Sequence, residues 1–193
     1  MRSQNPRNRL VFSLVFVGLL IATVLVSSWL LPATSIEPGY AQRNLFISTT
    51  HPFGTDWLGR DMFARTMMGM RLSLVIGLVT AGLSSLIAVV LGAIAALGGS
   101  VADHIVSWLI DLFIGMPHLV FMILIAFVAG GGVKGVILGV GLTHWPSLAR
   151  LIRAEIMKLA TEPYVEVSRR TGFGRLRVFW SHILPQVESL IVV

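Results

Sequence analysis

Residues 72–97 read LSLVIGLVTAGLSSLIAVVLGAIAAL, twenty-six positions without a charged side chain. That run exceeds the roughly 20 residues a helix needs to cross a hydrocarbon core of about 30 Å. In lipid the backbone has no water to bond, so the run must be helical throughout. Upstream, residues 10–31 form a second uncharged run of twenty-two. The chain of 193 residues is 55% hydrophobic and 12% charged, with a mean hydropathy of +0.83, whereas soluble domains carry roughly 25% charged residues. The fold class is therefore all-α, a polytopic bundle of membrane helices.

Further spans follow the same logic. Residues 105–129 form a third, containing Asp111 and Pro117 and ending at Gly130-Gly131-Gly132. Residues 133–148 form a fourth, broken by His144, Trp145 and Pro146. The chain closes on residues 183–193, which begin like a fifth span and cover only about 16 Å. About five spans are thus expected. Arg2, Arg7 and Arg9 before the first run also suit a signal peptide, but the run outlasts an h-region of about 7–15 residues, so an uncleaved span is expected. Two stripes of small residues mark the second span: Gly77, Ala81 and Ser85, and Ser84, Ala88, Gly92 and Ala96. Such stripes let helix backbones approach closely.

Orientation follows from the basic residues. With the N-terminus inside, ten of the fifteen Lys and Arg residues fall on inner segments, seven of them from Arg150 to Arg177. The positive-inside rule favours that arrangement. It accounts for the net charge of +6 without invoking nucleic acid, which would need a clustered soluble basic face. There is no cysteine, which excludes disulfides and thiolate metal sites.

The polar stretch beyond the fourth span carries the functional signal. Helix should continue to about Leu159, and Pro163 suits the first position of a new helix. Tyr164, Val167, Ser168 and Thr171 share one face of that helix by spacing. Gly172 and Gly174 supply the left-handed or tight backbone that a reversal needs. An amphipathic segment from Arg175 to His182 then leads to Pro185. The alternative reading is a basic helix resting on anionic lipid headgroups.

Within this stretch, Glu166-Val167-Ser168-Arg169-Arg170-Thr171-Gly172, followed by His182-Ile183-Leu184-Pro185, resembles the EAA loop of permease subunits of ATP-binding-cassette importers. Glu166, Gly172, Leu184 and Pro185 stand in register, while Val167 and Ser168 replace two alanines and His182 replaces an Ile. The resemblance implies a type I importer permease fold, usually of six spans, in the prokaryotic cytoplasmic membrane. It implies that residues 161–185 couple to a cytoplasmic ATPase, with Glu166 and Gly172 holding the bend between two short helices. A second homologous permease subunit and an extracytoplasmic substrate-binding protein are implied as partners, beside the bilayer itself.

The outer segment narrows the family. His51-Pro52-Phe53-Gly54-Thr55-Asp56, then Leu58-Gly59-Arg60-Asp61 and Arg65, is similar to the segment before the second span in permeases of the dipeptide, oligopeptide and nickel group. The domain plan is then 1–50 for the inner tail, first span and start of the outer segment, 51–70 for an outer amphipathic segment, and 71–193 for an incomplete permease domain. Thr55 or Asp56 can cap a helix beginning near Trp57. Asp56, Arg60 and Asp61 are expected to brace that helix.

Asp111 stands inside a span and is a candidate for gating or bracing. The five histidines lack the i, i+4 spacing of a helical metal site, so no metal or cofactor is expected. Met67, Met68 and Met70 read as packing residues. No phosphate-cradling Gly-x-x-x-x-Gly-Lys-Ser/Thr pattern and no nucleophile–base set is present. The chain reads as a non-enzymatic permease for peptides or nickel. The rival class is a non-transporting membrane docking protein, or an inactive shortened permease.

Overall fold

The computed structural model describes residues 6–191. Arg2 of the inner basic set and the last two residues of the fifth run lie outside them. The chain divides after Val75 into two compact units.

The first unit begins with α1 (Pro6–Leu30). Most of its large apolar side chains are more than half exposed, including Leu10, Phe12, Leu14 and Leu19, as suits a helix whose surroundings are lipid. Residues 31–61, the segment expected to lie outside, follow as a hydrogen-bonded loop with two 3-10 turns, Ala33–Ile36 and Tyr40–Gln42. Then α2 (Met62–Leu97) starts, and its first third belongs to this unit. The helix expected near Trp57 begins at Met62 instead, and its cap is Asp61. Asp61 Oδ1 accepts the amides of Phe63 and Ala64 at 2.7 and 3.1 Å, two of the donors a helix start leaves unbonded. Thr55 and Asp56 are engaged inside the preceding loop. The separate outer helix is thus absent, and α2 runs uninterrupted through the second span.

The second unit holds the rest of α2, then α3 (Ser100–Gly115), α4 (His118–Val128), α5 (Gly132–Gly141) and α6 (Trp145–Leu159). A loop follows with α7 (Pro163–Arg170), α8 (Arg175–Val178), a π-helical turn Phe179–Ile183 and α9 (Leu184–Ile191). Among the described residues α1 and α2 are long and apolar enough to cross a membrane unaided. The expected third span is two helices, α3 and α4, bent by 96°. Pro117 is the cause. It forces Met116 out of helical geometry, to φ −81° and ψ 145°, because its ring crowds the preceding residue.

The expected fourth span is likewise divided, into α5, a turn over residues 142–144, and α6. At ten residues α5 covers about 15 Å, half a hydrocarbon core. It forms a close hairpin with α4: a Cβ on Gly135 would lie 2.5 Å from the Ala126 carbonyl, and one on Gly139 would lie 2.7 Å from that of Met122. Side chains there would drive the two backbones apart.

The core of this unit is organised on α6. Ala149, Ile152, Ile156 and Leu159 are buried, and share one cluster with Ala88 and Ala95 of α2, Val106 and Ile110 of α3, and the apolar residues of the loop. Among the described residues the two small-residue stripes differ at their glycines. A Cβ on Gly92 would meet Ile152 Cγ2 at 2.9 Å, whereas Gly77 faces open space.

Candidate functional site: the loop from α7 to α9

Pro163 opens α7, where its missing N–H forfeits no helical bond. The eight-residue helix ends at Arg170, and Gly172 turns the chain with φ +91°. Nothing lies within 4 Å of a Cβ built there, so the backbone conformation alone calls for glycine. Phe173 and Gly174 lead into α8.

The buried side of α7 lies one position away from the face shared by Tyr164, Val167, Ser168 and Thr171. Val165, absent from the expected set, is fully buried, and joins Val178, Phe179, Ile183 and Val187 in the α6 cluster. Val167 is 60% exposed. Tyr164 and Ser168 turn toward the far limb of the loop. The Tyr164 and His182 rings stack at 6.3 Å, Ser168 Oγ lies 3.4 Å from His182 Nε2, and Gln186 Nε2 donates to the Tyr164 hydroxyl at 2.8 Å. These groups clasp the two limbs, a role expected of Glu166. Glu166 instead points outward and accepts from Arg170 Nη2 at 2.5 Å, one turn along α7. Arg169 lies beside it on α7. The outward surface is therefore Glu166, Val167, Arg170, Thr171 and Phe173, with the Arg177 guanidinium 4.6 Å above the Phe173 ring.

The π-helical turn sits immediately before Leu184 and Pro185. Proline removes an amide donor and crowds the carbonyl four residues back, and the wider turn relieves that crowding. The Leu184 amide bonds the Phe179 carbonyl across the wider loop. Leu184 packs against the core cluster, and Pro185 is exposed.

Two ion pairs tie α6 to α3. Asp111 accepts from Arg150 Nη2 at 2.6 Å, and both side chains are more than half exposed. Asp103 receives Arg153 through both Nε and Nη2, the latter at 2.6 Å, in a part-buried setting. The second pair was not legible in the sequence, since its members are fifty positions apart. Asp111 is thus paired with the helix that leads into the loop. Beyond it, the rings of His118 and His144 meet edge to face at 4.7 Å. Among the described residues no three metal-ligating side chains converge.

In the outer segment Asp56 is a hub. Its Oδ1 accepts the amides of Leu58 and Arg60 at 2.9 and 3.0 Å, and its Oδ2 takes Arg60 Nε and Arg65 Nη1, each at 2.8 Å. Desolvation works to raise the carboxyl's pKa. The hydrogen bonds and charge of Arg60, with the Leu58 amide, outweigh it and bring the value to about 2. Asp61 pairs with His51 Nδ1 at 2.9 Å. Burial opposes its ionisation too, but the bonds from His51 and the Ala64 and Phe63 amides hold it below the usual carboxylate range. Thr55 hydrogen-bonds the Gln42 carbonyl and the Leu45 amide. Gly54 and Gly59 have φ of +69° and +78°, and a Cβ on Gly59 would overlap the Gly39 carbonyl. The loop is densely hydrogen-bonded, yet leaves Phe46 and Ile47 92% and 78% exposed.

Residues 88–193 match the family described as binding-protein-dependent transport system inner membrane component, and the chain belongs to that family. It is 36% identical over 95% of its length to a putative peptide permease of Brucella abortus, and 31% identical over 97% to a dipeptide transport system permease of Bacillus subtilis. It is 32% identical over 93% to a glutathione transport system permease of Pectobacterium atrosepticum. The chain spans between 59% and 61% of the length of these curated relatives.

Proposed function

We propose that the chain is a membrane-spanning subunit of an ATP-driven importer of short peptides, with its N-terminus cytoplasmic. The relatives' names supply the substrate class, and nickel, admitted by the outer-segment resemblance, has no support among them. The loop from Pro163 to Pro185 is the seat of a cytoplasmic ATPase. A second permease subunit completes the path, and a substrate-binding protein delivers to the outer segment, whose hydrogen-bonded frame and exposed Phe46 and Ile47 suit protein docking.

The observation that carries this reading is the shared core of α6 and the loop. Val165, Val178 and Ile183 are buried with Ile152 and Ile156, so a partner that moves α7 moves α6. Through Asp111–Arg150 and Asp103–Arg153 it also moves α3. ATP-dependent displacement of the loop shifts the membrane helices only if the ATPase holds the two conformations with unequal affinity.

The lack of cysteine gives the test a clean background. In the assembled transporter, Val167→Cys should cross-link to the ATPase through a short thiol-reactive linker, in a nucleotide-dependent yield. Absence of cross-linking from Val167→Cys and Thr171→Cys, in complexes that still contain the ATPase, would overturn the loop's role.

A further inference from the structure

Among the described residues Arg71 has no counter-ion, and it stands at the edge of an uncharged run. The uncharged run of α2 begins at the next residue, and the uncharged run of α1 ends at Leu31. The last turn of α1 and this part of α2 line one groove of about 590 Å³. Its walls are Trp29, Leu31, Met68, Leu72 and Val75, with Arg71 among them. Both helices therefore bring the edge of their apolar runs to the same place.

Arg71 differs from the other outer arginines. Arg60 and Arg65 are held by Asp56, and Arg43 lies on the Tyr40 ring at 4.6 Å. Among the described residues no carboxylate lies within ion-pair distance of Arg71. Helical Cα–Cβ bonds tilt toward the helix N-terminus, which sends the Arg71 side chain away from the hydrocarbon and toward headgroup level. Trp29, 82% exposed, belongs to the residue type that settles at that level.

We propose that this groove holds an anionic phospholipid. Its phosphodiester sits on the Arg71 guanidinium, whose planar fork matches two phosphate oxygens. One acyl chain lies along Leu72 and Val75, beside Trp29. A headgroup of net negative charge compensates the cation, whereas a choline or ethanolamine headgroup brings its own positive charge and cancels that gain.

The test uses the intact chain purified in mild detergent, titrated with phosphatidylglycerol or phosphatidylcholine and read by native mass spectrometry. The wild type should retain phosphatidylglycerol about fivefold more than phosphatidylcholine, the ratio expected of one interfacial cation. Arg71→Gln should erase that preference and Arg71→Lys should keep part of it. Lys134→Gln, which removes a cation outside the groove, should leave it unchanged. In liposomes, phosphatidylglycerol brominated on its chains should quench the wild-type fluorescence component that Trp29→Phe removes, more strongly than brominated phosphatidylcholine does. Equal retention by wild type and Arg71→Gln, or equal quenching by the two lipids, overturns the site. Neither readout depends on what the protein transports.

Discussion

Gly59 and Gly172 both occupy positive φ, yet they should respond differently to a methyl group. At Gly172 the space for Cβ is open, so alanine meets only the conformational cost of the left-handed region, about 1 kcal/mol. Gly172→Ala should weaken detergent pull-down of the ATPase severalfold while the subunit inserts normally, and Gly172→Asn should do less harm because Asn visits that region more readily. At Gly59 the added carbon overlaps the Gly39 carbonyl, so Gly59→Ala should lower the amount of folded subunit in the membrane fraction. Asp56 carries a prediction of another kind. Its pKa is lowered from 3.8 to about 2, so its bracing is fully present above about pH 4 and is lost as the pH falls through about 2. Amide exchange at Leu58 and Arg60, corrected for intrinsic rate, should lose protection across that window. Asp56→Asn should show the reduced protection already at pH 7.

At the scale of elements, the ion pairs between α3 and α6 are unequal. Asp103 and Arg153 are each about three-quarters covered, whereas Asp111 and Arg150 are more than half exposed. Arg153→Gln should therefore cost about 1–2 kcal/mol, as for a lost hydrogen bond to a charged group. Arg150→Gln should cost about 0.5 kcal/mol or less. Thermal unfolding in detergent, followed by the monodisperse fraction remaining, should separate the two variants in that order. If Arg150→Gln leaves stability intact but uncouples ATP hydrolysis from uptake, the exposed pair serves gating rather than bracing.

Across the whole molecule, the sequence was informative where one local rule acts alone. Uncharged runs located α1 and α2, Pro163 located the start of α7, and Gly172 located its reversal. It was uninformative where several local solutions compete. Thr55, Asp56 and Asp61 are all competent caps, and only the wrapped loop assigns Asp61 to α2 while Asp56 gathers arginines. An eight-residue helix offers two plausible packing faces, and Val165 rather than Val167 turns inward because Val178 and Ile183 await it. Pro117 can be accommodated in a membrane helix, so the sequence placed it inside a span without giving the 96° bend that its displacement of Met116 produces. The family was readable from the loop because Glu166, Gly172, Leu184 and Pro185 keep the motif's spacing although Val167, Ser168 and His182 depart from its residues.

The central position of α6 carries a consequence for chain length. The helix rises about 22 Å, with Arg150 and Arg153 directed to α3 and Ile152, Ile156 and Leu159 directed to the loop and α2. One residue added or removed between Arg153 and Leu159 rotates everything beyond it by about 100°. The arginines would stay in phase with α3 while Val165 and the clasp of Tyr164 and His182 swung off the core. Substitutions along the exposed side of α6 are tolerable in principle, but its residue count is not free to drift. Among relatives, insertions and deletions should spare this helix even where its side chains vary.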